Sequence, residues 1–131
     1  MTGGVVASAI VPHTPRMGVE ESAPDFVRPL IQGQRDLGEE LRALKPDVIV
    51  LQSSHWVSTF NWYVTVNKIH EGVCIADEAP DLIPGSPYKY DGDPEFGQAV
   101  VDALKGAGLA VGLMDSPHFK WDYASYVPLH Y

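Results

Sequence analysis

Two short apolar runs, each leading into a histidine, constrain this chain more than any other feature. Gly-Val-Val-Ala-Ser-Ala-Ile-Val occupies residues 4–11 and stops at Pro12, with His13 next. Asp-Val-Ile-Val-Leu-Gln-Ser occupies residues 47–53 and delivers Ser54, His55 and Trp56. Neither run has helical spacing and both are short, which predicts strands buried on both faces. After a loop over 14–25, Phe26, Leu30, Leu37, Leu41 and Leu44 approximate a helical repeat, with Asp25 as N-cap and Pro46 as the stop. Gly33 and Gly38 each weaken that helix by roughly 1 kcal/mol relative to alanine. Strand, helix and strand in this order predict a right-handed βαβ unit and therefore a parallel sheet.

Further along, residues 60–66 alternate aromatic or β-branched with polar residues, as a half-exposed strand does. Residues 70–93 are rich in Pro and Gly and read as one long functional loop, with turn signals at Pro84-Gly85 and Asp91-Gly92. Asp93 caps a predicted helix from Pro94 to Lys105, ended by Gly106 and Gly108, and residues 109–113 follow as a strand. Val127-Pro128-Leu129 reads as the opening turn of another apolar helix, so the sequence reads as stopping partway through a fold. The expected architecture is α/β, a central, mostly parallel sheet with flanking helices, in a single domain over residues 1–131.

Composition narrows the function. Nine Lys and Arg against seventeen Asp and Glu leave a net charge of −8, which opposes nucleic acid or anionic lipid as the main partner. No stretch approaches the ~18 apolar residues of a membrane span, and no signal peptide is visible, so the cytoplasm is the expected compartment. The single cysteine, Cys74, excludes an intrachain disulfide and a multi-cysteine metal site, and reads as a small hydrophobe.

In open α/β sheets, ligands bind beyond the carboxyl ends of the strands. His13 and His55 both fall there, and two imidazoles at neighbouring strand ends suit one zinc, iron, copper or nickel ion. No local motif of the His-Glu-x-x-His kind accompanies them. Asp77, Glu78, Asp91, Asp93 and Glu95 are candidates for a third ligand, although acidic loop residues are usually solvated and Asp93 is better explained as a cap. Arg16 has two readings, a bidentate partner for a substrate carboxylate or a surface arginine. Trp56, Tyr88 and Tyr90 suit an aromatic pocket and suit core packing equally. His70, His118 and His130 are expected on the surface.

Six segments, taken in order, carry a resemblance. They are Pro12-His13-Thr14-Pro15-Arg16-Met17, Ser54-His55-Trp56, Glu71-Gly72-Val73, Glu78-Ala79-Pro80, the block from Tyr88 to Gln98, and Tyr123-Ala124-Ser125-Tyr126-Val127-Pro128-Leu129. Together they resemble the class III extradiol ring-cleavage dioxygenases, and within them the 3,4-dihydroxyphenylacetate (homoprotocatechuate) 2,3-dioxygenases. The resemblance covers nearly all of the chain and, since members are around twice as long, only their N-terminal half. It implies an Fe(II) enzyme with two histidines and one glutamate as ligands, leaving open positions for a catechol and dioxygen. His13 and His55 map onto the two histidines. The glutamate and a histidine acid/base belong to the C-terminal half, so no residue here takes the acid/base role. Tyr123 stands where the homoprotocatechuate type carries tyrosine and other members carry histidine, which suggests a substrate hydrogen bond; Ala124 replaces a glycine common there.

The implied function is extradiol cleavage of a 3,4-dihydroxyphenylacetate-like catechol by the complete protein, assembled as a homo-oligomer or hetero-oligomer. Sibling activities on protocatechuate, gallate or an aminophenol remain open, as does a non-catalytic subunit or remnant whose partner supplies the missing ligand and acid/base.

Overall fold

The computed structural model describes residues 3–58, 60–74 and 76–131. Three helices, α1 (Arg28–Ala43), α2 (Pro94–Gly106) and α3 (Tyr123–His130), accompany four strands, β1 (Trp62–Thr65), β2 (Ile69–Cys74), β3 (Ser86–Asp91) and β4 (Val111–Met114). β1 pairs with β4 in parallel, Trp62 facing Val111, while β2 and β3 form an antiparallel hairpin with Gly72 facing Tyr88. The class is α/β, with a parallel sheet and flanking helices. The chain spans about half the length of the curated relatives it matches, as a partial fold does.

The parallel pair is not the one expected. Residues 4–11 and 47–53 enter no ladder among the described residues, and their apolar side chains face solvent, with Val5 89% and Ile49 64% exposed. A parallel partner is supplied instead between β1 and β4. α2 covers that pair, and the approach is close: a Cβ at Gly97 would lie 2.7 Å from the Thr65 carbonyl oxygen. α2 itself starts as its sequence dictates. Asp93 accepts a hydrogen bond from the Phe96 N–H at 2.9 Å, Pro94 takes the first turn, and Gly108 adopts a positive φ of 82° beyond the end.

The expected loop over 70–93 contains the β2–β3 hairpin. Its strands alternate in burial, with His70, Gly72 and Cys74 on the inner side facing Tyr90, Tyr88 and Ser86. α1 also begins later than expected, at Arg28. Asp25 does not cap it; its carboxylate accepts from the Arg28 guanidinium at 3.3 Å, and Val27 occupies the cap position. The buried stripe is Val27, Ile31 and Gln34, at i, i+4 and i+7, whereas Phe26 is 74% exposed.

The main core joins Met17, Val27, Ile31, Cys74, Ile83, Tyr88 and Val127. It therefore unites the turn after His13, α1, the hairpin and α3. Arg35 of α1 forms an ion pair with Glu20 and lies over the Tyr131 ring, 5.2 Å from its centroid, while the Tyr131 hydroxyl donates to the Met17 carbonyl. These contacts bind residues 14–22 to the rest. No helix among the described residues is long and apolar enough to cross a membrane.

Candidate functional site

His13 follows Pro12 and precedes a 3-10 turn over Pro15–Met17, whose closure is helped by Pro15 in its first turn. The backbone just before His13 is anchored from α1, since the buried Gln34 side-chain amide donates to the Pro12 carbonyl at 2.6 Å. His55 arrives from the second apolar run. Its own N–H donates to Ser53 Oγ at 3.1 Å, and the Trp56 N–H donates to the same oxygen at 3.3 Å.

The two histidines lie side by side. Their ring centroids lie 5.1 Å apart at an interplanar angle of 78°. Tyr123, at the start of α3, completes the group, with its ring 4.5 Å from that of His55 and 6.3 Å from that of His13. The Tyr123 hydroxyl is 3.4 Å from His55 Nε2, and Ser54 Oγ is 3.4 Å from His13 Nε2. Burial, reinforced by the nearby carboxylates of Glu78 and Asp122, raises the Tyr123 phenol above its ordinary value. The hydroxyl therefore keeps its proton at neutral pH and is available as a donor.

Two imidazoles are a donor set that borderline divalent cations accept. Bonds from imidazole nitrogen to such a cation run to about 2.0–2.1 Å. Among the described residues no group of three His, Cys, Asp or Glu is placed to hold a metal. The acidic candidates do not join them, and Asp93 is engaged as the α2 cap.

The remaining expected residues are placed as follows. Arg16 is exposed on the turn that follows His13. Trp56 is half-buried and its indole packs against Phe119 at 4.7 Å and Tyr63 at 6.1 Å. Tyr88 and Tyr90 flank Trp121, at 4.8 and 5.1 Å, which makes them packing residues that also fix α3. The Tyr88 hydroxyl receives the Trp121 N–H, and the Tyr90 hydroxyl donates to the Leu129 carbonyl. His118 is exposed as expected. His70 is not at the surface; it is half-buried against Trp121, and desolvation lowers its pKa. His130 lies over the Tyr126 ring with Nδ1 3.1 Å from the hydroxyl.

Three supporting residues escape the sequence reading: Gln34, Ser53 and Asp122. Gln34 carries a signal, a polar residue on the Val27–Ile31 stripe. Asp122 carries another, standing as it does immediately before an apolar helical run, where it accepts the Ser125 N–H at 2.9 Å as N-cap.

Residues 7–131 match the family described as the catalytic LigB subunit of aromatic ring-opening dioxygenase. The chain belongs to the LigB family. It is 26% identical over 132 residues to the 3,4-dihydroxyphenylacetate 2,3-dioxygenase of Escherichia coli, covering 98% of this chain and 48% of that protein. It is 28% identical over 136 residues to the 2-aminophenol 1,6-dioxygenase beta subunit of a Pseudomonas species, covering 98% of this chain and 44% of that protein. The LigB match includes His13, His55 and Tyr123 within its span.

Proposed function

We propose that these residues form the N-terminal domain of an extradiol ring-cleaving dioxygenase of the cytoplasm, acting on a 3,4-dihydroxyphenylacetate-like catechol. The carrying observation is the pairing of the His13 and His55 rings at 5.1 Å in a chain of the LigB family. In this reading His13 and His55 hold Fe(II), and a third donor comes from chain beyond the 131 residues or from another subunit. When bound, the metal would supply a template that gathers a catechol and dioxygen and carries charge between them.

The chain's own residues prepare that site. Gln34 and Ser53 hold the backbone of the two histidine-bearing segments, which lowers the cost of ordering them when a ligand arrives. Tyr123 presents a protonated hydroxyl beside His55, suited to donating to a phenolate or carbonyl oxygen of the substrate. Arg16, exposed on the turn after His13, is the proposed partner of a substrate carboxylate. Trp56 contributes an apolar wall.

The test is iron content and dioxygen uptake of the full-length protein with 3,4-dihydroxyphenylacetate. His13→Ala and His55→Ala are each expected to remove bound iron and ring cleavage together. Unchanged metal stoichiometry in both variants would defeat the ligand assignment. A second reading is favoured by the relative named as a beta subunit. In it the protein works inside a hetero-oligomer on an aminophenol, and turnover of 2-aminophenol in preference to the catechol identifies it.

A further inference from the structure

Resting on that reading of His55, we propose that Ser53 and Asp122 form a latch that sets the position of His55 against Tyr123, both acting as positioning residues. The hydroxyl of Ser53 is used to capacity. It donates to the Asp122 carboxylate, with Oδ1 and Oδ2 each at 2.9 Å, and it accepts the N–H groups of His55 and Trp56 at 3.1 and 3.3 Å. A serine hydroxyl has one proton and two lone pairs, so every bond it can form is made here.

Asp122 is equally committed. Besides receiving the Ser53 proton, its Oδ1 accepts the Ser125 N–H at 2.9 Å and so caps α3, whose first residue is Tyr123. One carboxylate thus fixes the start of the helix that carries the phenol. The serine it holds fixes the backbone of the histidine that the phenol faces at 3.4 Å. The two segments lie far apart in sequence, Ser53 and Asp122 being separated by 69 positions. Hydrogen bonds to a charged acceptor are shorter and stronger than neutral ones, which suits a link that must hold two distant segments in register. Groups that orient metal ligands typically change metal affinity or activity by about 10- to 100-fold when removed.

The test uses the full-length protein, anaerobic titration with Fe(II), and amide hydrogen exchange at His55 and Trp56 followed by NMR. Ser53→Ala is expected to speed exchange at both amides about tenfold or more and to weaken Fe(II) binding about tenfold while the protein stays folded. Ser53→Thr keeps the hydroxyl and is expected to retain both properties. Asp122→Asn keeps a capping oxygen and is expected to give a several-fold loss, which carries the test if Ser53→Ala does not fold. Combining Ser53→Ala with Asp122→Ala is expected to cost no more than the larger single change, because members of one network fail as a unit.

Unaltered exchange at His55 in Ser53→Ala overturns the latch, as do losses that multiply in the double variant. Faster exchange with parental Fe(II) affinity overturns the positioning role and leaves only a structural bond. His13→Ala distinguishes this from failure of the ligand reading. Fe(II) binding that survives His13→Ala removes the metal assignment, while the exchange rates still decide whether the latch exists.

Discussion

The His55 imidazole and the Tyr123 phenol face each other with ring centroids 4.5 Å apart and Nε2 3.4 Å from the hydroxyl oxygen. Two residues 68 positions apart meet here because Ser53 and Asp122 tie their segments together. Burial, with Glu78 and Asp122 nearby, raises the Tyr123 phenol above its ordinary value. Tyr123→Phe removes one hydroxyl and keeps the ring. With a net hydrogen bond worth about 1 kcal/mol, kcat/KM for the catechol is expected to fall about fivefold, with iron content unchanged. Steady-state kinetics beside metal analysis checks this.

Cys74 is fully buried and its thiol is pushed up to about 11 from 9.0, chiefly by burial and then by the carboxylates of Asp122 and Asp77. The folded state holds this proton more tightly than the unfolded chain. Its contribution is therefore complete below pH 9 and is lost as pH rises toward 11, with a slope approaching about 1.4 kcal/mol per pH unit. Urea midpoints of the parent protein are expected to decline more steeply between pH 9 and 11 than those of Cys74→Ala. The same burial makes the thiol inert, so Ellman's reagent at pH 8 is expected to label it only after unfolding.

For Asp93 a capping role and a metal-ligand role part cleanly under substitution. Its carboxylate accepts the Phe96 N–H at 2.9 Å. Asp93→Ala is expected to cost about 1 kcal/mol of stability and to leave iron content at the parental level. Denaturant titration and metal analysis on one preparation check both halves.

Gly97 marks the contact of α2 with β1. A Cβ there would meet the Thr65 carbonyl oxygen at 2.7 Å and a Val66 methyl at 3.0 Å. Backbone cannot swing aside as a side chain does, so Gly97→Ala is expected to destabilise by about 1–3 kcal/mol, although alanine is the better helix former. Gly106, whose Cβ would enter open space, provides the contrast. Gly106→Ala is expected to be near neutral in the same thermal melt.

What the sequence made legible follows from how local each cause is. The α2 cap and its end depend on residues within one turn, and Asp93, Pro94 and Gly108 stand where the expectation put them. His13 and His55 stand out in the sequence as the residues that follow two apolar runs, and their rings lie 5.1 Å apart, although not at the ends of paired strands. The runs have the composition of buried strands, yet a strand is held by its neighbour and not by its own residues, and no ladder forms on them among the described residues. The hairpin was hidden by turn-forming residues around it. Its alternation is plain only once Gly72 is set opposite Tyr88. Ser53 and Asp122 were invisible as a pair because no spacing rule links residues so distant. The α1 start was misplaced because Asp25 turned its carboxylate to Arg28 instead of to the helix backbone.

The parallel pairing of β1 with β4 has a bearing on how the chain assembles. Trp62 and Val111 are roughly fifty residues apart, with the hairpin and α2 between them. Closing so long a loop exacts entropy before the ladder returns any bond, and contacts of wide sequence separation form slowly. The hairpin and α2 draw on near neighbours and can arise while β1 still waits. During synthesis β4 emerges after the other three described strands, so β1 spends that interval with its edge open to other chains, and the yield of native protein turns on how soon β4 arrives.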